Sequence, residues 1–128
     1  MTAKRVDREG PIHVAILRFL RLALPGAVIH HSPNAIGLSG VQIERQISKA
    51  RHMGTVKGFP DLIVLSSHGT FLFEVKALGN YADADQRDLH TSLRDMGYPV
   101  FVVRSPEDAE AALRSFSVPL AASLSSRA

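Results

Sequence analysis

Two runs rich in β-branched and aromatic residues, Leu62-Ile63-Val64-Leu65 and Phe71-Leu72-Phe73-Glu74-Val75-Lys76, are separated by Ser66-Ser67-His68-Gly69. A polar four-residue connection containing glycine predicts an antiparallel hairpin. Closing Leu65 against Thr70 carries Asp61 to the position directly opposite Glu74. Side chains alternate along a strand, so Phe71, Phe73 and Val75 face one way and Leu72, Glu74 and Lys76 the other. Glu74 and Lys76 are then neighbours, about 6.6 Å apart at Cα for a rise of ~3.3 Å per residue. Asp61 and Glu74 are set at a Cα separation of about 4.5–5.5 Å, pointing the same way.

The rest of the chain supplies layers for this hairpin. Ile12, Ala15, Ile16, Phe19, Leu20 and Ala23 recur at helical spacing between Pro11 and Leu24, and Pro25-Gly26 ends that helix. Ala27 to His31 reads as a short strand. A capping-box pattern from Ser39 to Gln42 opens a second helix over about Gly40 to Met53, and Gly54 stops it. Asp83 caps a helix that directs Leu89, Leu93 and Met96 inward and ends at Gly97. Val100 to Val103 is a buried strand, so strand, helix and strand from Phe71 onward predict a parallel, right-handed crossover. Ser105-Pro106-Glu107-Asp108 starts a final helix that runs to about Ser115.

The expected class is α/β, a mixed central sheet flanked by helices. Residues 1–8 read as a flexible arm, 9–118 as a single domain and 119–128 as a flexible tail. At 128 residues such a domain buries roughly two thirds of its unfolded surface and needs no covalent staple. Cysteine is absent, which excludes disulfides, thiolate metal sites and a thiol nucleophile. Arg18 and Arg21 interrupt the longest apolar stretch, and the start of the chain lacks the apolar run of a signal peptide, so a cytoplasmic protein with no membrane partner is expected.

Like charges directly across a ladder destabilise a hairpin, so opposing Asp61 to Glu74 calls for positive charge between them. Lys76 supplies one such charge. With oxygen donors and no thiol, a hard divalent cation suits the pair, Mg2+ with Mn2+ as a substitute. Such an ion beside an ammonium group is the equipment of phosphodiester hydrolysis. Read alone, an acid before a strand and a Glu-x-Lys alternation are also common on solvated faces. Gly58-Phe59-Pro60, which lets the backbone approach closely and sets the entry to the strand, favours a site. So does the cationic segment Arg45, Lys49, Arg51, His52 and Lys57, opposed only by Glu44, although in isolation a solvated helix face is the favoured account of it. The net charge of +3 adds little.

Taken together, Gly58-Phe59-Pro60-Asp61, Phe73-Glu74-Val75-Lys76, Gln86, Gly97-Tyr98-Pro99-Val100 and Val102-Val103-Arg104-Ser105 resemble the virus-type replication-repair nuclease family, VRR-NUC. That family belongs to the PD-(D/E)XK superfamily with its restriction-endonuclease-like core, and the resemblance spans about Glu9 to Phe116. It implies that Asp61, Glu74 and the backbone carbonyl of Val75 bind Mg2+, that Lys76 is the catalytic lysine, and that Gln86 is the active-site glutamine. Glu9 matches an acidic residue near the start of the family's first helix, either a further metal ligand or a helix-dipole partner. Asn34 matches a stretch that contacts substrate, or is a turn residue. The chain departs from the family at His13, where glutamine is usual, and at Asp83, where serine is. His30, His31, His52 and His68 have no metal-ligand spacing and are assigned no such role.

Small members of the family resemble Holliday-junction resolvases, homodimers that nick branched DNA in bacterial or phage-infected cells. The resemblance therefore implies a structure-selective endodeoxyribonuclease in repair, recombination or phage DNA processing with Asn34 on the DNA, and the cationic segment adds Arg45, Lys49, Arg51 and Lys57 as expected phosphate contacts. No major-groove reading element is visible, so shape rather than sequence is the expected determinant. The alternative is a catalytically inactive module of the same fold that binds nucleic acid or protein.

Overall fold

The computed structural model describes residues 7–32 and 41–124. The elements are α1 (Glu9–Ala23), β1 (Val28–His31), α2 (Val41–His52), β2 (Leu62–Ser66), β3 (Gly69–Val75), α3 (Ala84–Asp95), β4 (Val100–Val103) and α4 (Pro106–Ser115). The four strands form one sheet in the order β1-β2-β3-β4, antiparallel at the first two junctions and parallel at the third. This is the mixed α/β arrangement expected from the sequence. Asn34 and Ser39 lie outside the described residues.

The hairpin register is the one deduced from loop length, Leu65 against Thr70 and Leu62 against Phe73. The turn is tighter than expected, because pairing continues to Ser66 and Gly69 and leaves only Ser67 and His68 at the tip. Ser66 makes this possible: its Oγ donates to the Gly69 carbonyl at 2.8 Å and accepts from His68 N–H at 3.2 Å. Gly69 takes φ +129°, a region that L side chains avoid.

Alternation along β2 and β3 builds two apolar layers. On one face Leu62, Val64, Phe71, Phe73 and Val75 pack with Ile16 and Leu20 of α1 and Ala109 and Leu113 of α4. On the other, Leu72 and Val100 pack with Leu93 of α3, flanked by Ile63 and Leu89. β3 is thus covered on both sides, the environment a central strand next to a parallel neighbour normally has. By the same alternation Glu74 belongs to the α3 face, where it is only 2 % exposed.

One expectation is corrected. Met96 is not an inward residue: α3 ends at Asp95, and Met96, at its C-cap, is 64 % exposed. Residues 119–124, which the sequence placed in the tail, make hydrogen bonds to the rest of the domain. Ala121 N–H donates to the Ala23 carbonyl at 2.9 Å, and Leu124 N–H and Ser123 Oγ donate to the Glu110 carboxylate at 2.6 and 2.9 Å. Glu110 is 5 % exposed, and the Leu124 N–H and the Arg114 guanidinium hold its carboxyl below the usual carboxylate range. A buried acid that needs donors fastens a segment in which Ser123 is the one polar side chain. Among the described residues, no helix is long and apolar enough to cross a membrane.

Candidate active site

Asp61 stands one residue before β2, and the ladder that ends at Leu62–Phe73 brings it to the end of the hairpin that carries Glu74. Its backbone is clamped from β1, with Ser32 N–H donating to the Asp61 carbonyl at 2.8 Å and His31 Nδ1 3.3 Å from the same oxygen. Its side chain is clamped from β3. Leu72 and Lys76 direct their N–H groups at β4, to Pro99 and Val103, so Val75 directs its own at the β2 side, where Asp61 Oδ2 accepts it at 2.7 Å.

Gly58 and Pro60 shape the entry. Gly58 has φ +79°, and a Cβ there would lie 3.2 Å from the Asp85 carbonyl and the Gln86 Cα. Only glycine lets this loop touch the first turn of α3, and Pro60 is fully buried behind it. The contact ties the segment before Asp61 to the helix that carries Gln86.

Asp83 caps α3 with the reciprocal box: Gln86 N–H donates to Asp83 Oδ1 and Asp83 N–H to Gln86 Oε1, each at 2.9 Å. That bond orients the Gln86 amide, whose Nε2 donates to Glu74 Oε2 at 3.1 Å. Lys76 Nζ lies 3.8 Å from the same oxygen. The four residues named as catalytic from the sequence, Asp61, Glu74, Lys76 and Gln86, therefore meet in one place.

Burial and the Asp61 carboxylate push Glu74 up to about 9, and Lys76 opposes the shift without cancelling it. At neutral pH Glu74 consequently holds a proton, and the pair carries one negative charge rather than two. Glu74 Oε1 is buried without a hydrogen-bond partner. His90, one helical turn beyond Gln86 on α3, is 2 % exposed, and its Nε2 is 3.9 Å from that oxygen. Burial, then Arg94 and Lys76, lower His90 below the ordinary histidine value, so the two face each other as neutral groups and not as an ion pair.

Glu9 reaches the same region from the start of α1. Its Oε2 accepts from Ala77 N–H at 3.3 Å and from Asn80 Nδ2 at 3.2 Å, and its charge adds to the upward push on Glu74. His13 packs edge-on to His31 with ring centroids 4.6 Å apart. Burial and His31 lower its pKa, with Asp61 pulling the other way.

Glu9, Asp61, Glu74, Lys76 and Gln86 open onto a cleft of about 530 Å³ that α2 also lines. Arg51 and Lys57 line it, whereas Arg45 and Lys49 are exposed on α2 outside the lining. Lys57 is held by Asp85 at 2.7 Å, which draws the Asp85 carboxyl down. Missed from the sequence were His90, Asn80 and the cleft-lining Gln46, Ile47 and Ala50 of α2, whereas Arg51 beside them was named. His90 carried a signal, its four-residue spacing from Gln86 on a helix whose other face is polar.

The donor set fits a hard divalent cation. Among the described residues no group of three or more His, Asp or Glu side chains converges as a metal cage. Magnesium seldom needs one, because it keeps several waters and takes one or two carboxylates together with substrate phosphate. A buried carboxyl with an unpartnered oxygen, beside a second carboxylate, is a site where such a charge relieves both strains.

A mixed four-stranded sheet flanked by helices, with Asp61 just before β2, Glu74 on β3 and Lys76 just after it, and Gln86 on the crossover helix α3, is an α/β core consistent with the restriction-endonuclease-like fold. Among solved structures, the chain is similar to a VRR_NUC domain protein, with a TM-score of 0.65, 22% identity and coverage of 88% of this chain and 90% of that one. It is also similar to a second VRR_NUC domain, with a TM-score of 0.55, 24% identity and coverage of 85% and 97%. No family model matches the sequence, and no curated protein matches it. The fold is that of VRR-NUC domains, as the motifs implied.

Proposed function

We propose that this chain is a VRR-NUC nuclease, a magnesium-dependent DNA endonuclease selective for branched, Holliday-junction-like structures and acting in repair, recombination or phage DNA processing. The observation that carries the reading is the convergence of Asp61 and Glu74, with Lys76 and Gln86 on the same Glu74 oxygen, at the floor of a cleft walled by a cationic helix.

Asp61, Glu74 and the Val75 backbone carbonyl would hold Mg2+, for which Mn2+ can substitute. When bound, the ion supplies Lewis acidity toward the phosphodiester and lowers the pKa of a coordinated water. The chain's own residues do the rest. Val75 N–H keeps the Asp61 side chain turned toward β3, and Gln86 keeps Glu74 in place. Lys76, with its side chain 15 % exposed at the cleft floor, places a cation where negative charge develops on the phosphoryl oxygens. Arg51 and Lys57 attract the phosphate backbone, and Arg45 and Lys49 extend that field along α2. Asn34 adds a substrate contact. A compact unit without a separate base-reading element selects DNA by shape, and a homodimer would present two such sites to the two strands of a junction.

The test is nicking of branched and linear DNA in the presence of Mg2+, comparing the wild type with Asp61→Ala and Lys76→Ala. Cleavage by the wild type that both substitutions abolish supports the reading. Equal activity in all three overturns it, and salt-sensitive binding without nicking would assign the chain to a binding module of the same fold.

A further inference from the structure

Glu74 Oε1 and His90 Nε2 are the two buried side-chain polar atoms without a hydrogen-bond partner among the described residues, and they face each other. A buried polar atom without a partner bears its full desolvation penalty, so a fold seldom leaves one for no reason, and here two sit within reach of each other. The separation of 3.9 Å is about 1 Å longer than an N–H···O bond, a gap that small side-chain rotations close.

We propose that His90 is a positioning residue for Glu74, its Nε2–H donating to Oε1 and so fixing the plane of the carboxylate in the ion-loaded protein. The inference rests on the nuclease reading of the site and extends it to a residue which that reading does not use. Gln86 Nε2 and Lys76 Nζ already address Oε2, and neither reaches Oε1. Gln86 and His90 are four residues apart on α3 and point to the same side, so one helix grips both oxygens of a single carboxylate. A neutral imidazole donates from one nitrogen only, and the acceptor it faces decides which. With Glu74 Oε1 as that acceptor, the proton belongs on Nε2. A carboxylate held from both sides cannot swing away from Asp61, and partners of this kind commonly govern how well an acid binds its cation.

Two measurements test this. Calorimetric titration of Mn2+ into the wild type, His90→Gln and His90→Leu reads affinity without catalysis. The Gln amide nitrogen reaches the place of Nε2, whereas Leu fills the volume without a donor. His90→Leu is expected to weaken Mn2+ binding by about tenfold or more while His90→Gln retains most of it. On the wild type, ¹⁵N-histidine spectra should show His90 as the Nε2–H form, with that proton moving downfield on addition of Mg2+. Wild-type binding that a folded His90→Leu reproduces, or a His90 resonance that Mg2+ leaves unmoved in the ion-loaded protein, overturns the role of His90 and leaves the nuclease reading intact. Absence of Mn2+ binding to the wild type overturns both.

Discussion

Asp61 Oδ2 accepts the Val75 N–H at 2.7 Å, so the acid that precedes one strand is fastened to the backbone of the strand that carries Glu74 and Lys76. The bond completes the edge of β3 where the ladder with β2 has run out. It also holds two carboxyl groups close together, so that Glu74 keeps a proton at neutral pH, an arrangement that favours one stable hairpin less than it favours a site.

Asp61→Ala and Asp61→Asn should separate these roles. The alanine variant leaves the part-buried Val75 N–H without its acceptor, an expected loss of about 1–3 kcal/mol in urea unfolding. Asparagine can still accept that bond and should recover most of the stability. Both lose the charge that a cation needs, and both should reduce magnesium-dependent nicking by about a hundredfold or more. An Asn variant as active as the wild type would contradict the assigned role.

The pH dependence of stability follows from Glu74. Its folded-state value, about 9, lies above the ordinary one of 4.5, so between them the unfolded chain has released a proton that the folded chain keeps. The stabilisation is therefore complete below about pH 4.5 and is lost progressively as pH rises toward 9. In metal-free buffer the Glu74→Gln variant should show a flatter stability profile than the wild type across that interval. Added Mg2+ should raise the wild-type Tm more at pH 8.5 than at pH 6, since the cation competes with the retained proton. Parallel profiles for the wild type and Glu74→Gln would show that Glu74 does not titrate in this window.

Gly58→Ala should damage the site from a distance. The left-handed backbone costs about 1–2 kcal/mol for an L side chain, and a Cβ 3.2 Å from α3 backbone atoms must push the helix start away. The expected result is a Tm lower by roughly 5–10 °C together with loss of nicking, because the displaced turn carries Gln86. A variant with wild-type Tm and activity would show that the close approach is dispensable.

Charge at the cleft wall should tune DNA affinity. Arg51→Ala is expected to weaken binding and to reduce the slope of log K against log salt by about one. Asp85→Asn should act in the opposite direction, since it releases Lys57 from its 2.7 Å ion pair and removes an acid from the cleft. Fluorescence anisotropy with a Glu74→Gln background, which prevents cleavage, reads both effects. Equal salt slopes for the wild type and Arg51→Ala would exclude Arg51 from the phosphate contacts.

Local rules carried the sequence a long way. The period of two in Phe71 to Lys76 and the length of the Ser66–Gly69 connection were enough to set Asp61 against Glu74, because hairpin register depends on nearby residues alone. The reciprocal cap between Asp83 and Gln86 is equally local, and it was half legible: the Asp83 side was foreseen, and the Gln86 amide bonding back was not. Residues 119–124 show the opposite case, since nothing local in Pro119 to Leu124 indicates that Ser123 and Leu124 bond to a buried Glu110 elsewhere in the chain.

What the linear order of residues determined was which side chains are present, on which strand face each falls, and which acids oppose each other. Tertiary structure alone decided how strongly those acids are perturbed. Glu74 is pushed up to about 9 chiefly because α3 covers the sheet above it, with Asp61 adding to the shift, and desolvation depends on what packs against a group, not on its neighbours in sequence. Glu9 and Ala77, 68 residues apart, meet for the same reason, as do Glu74 and His90. Contacts of that kind arise when whole elements dock, so no periodicity within one element encodes them.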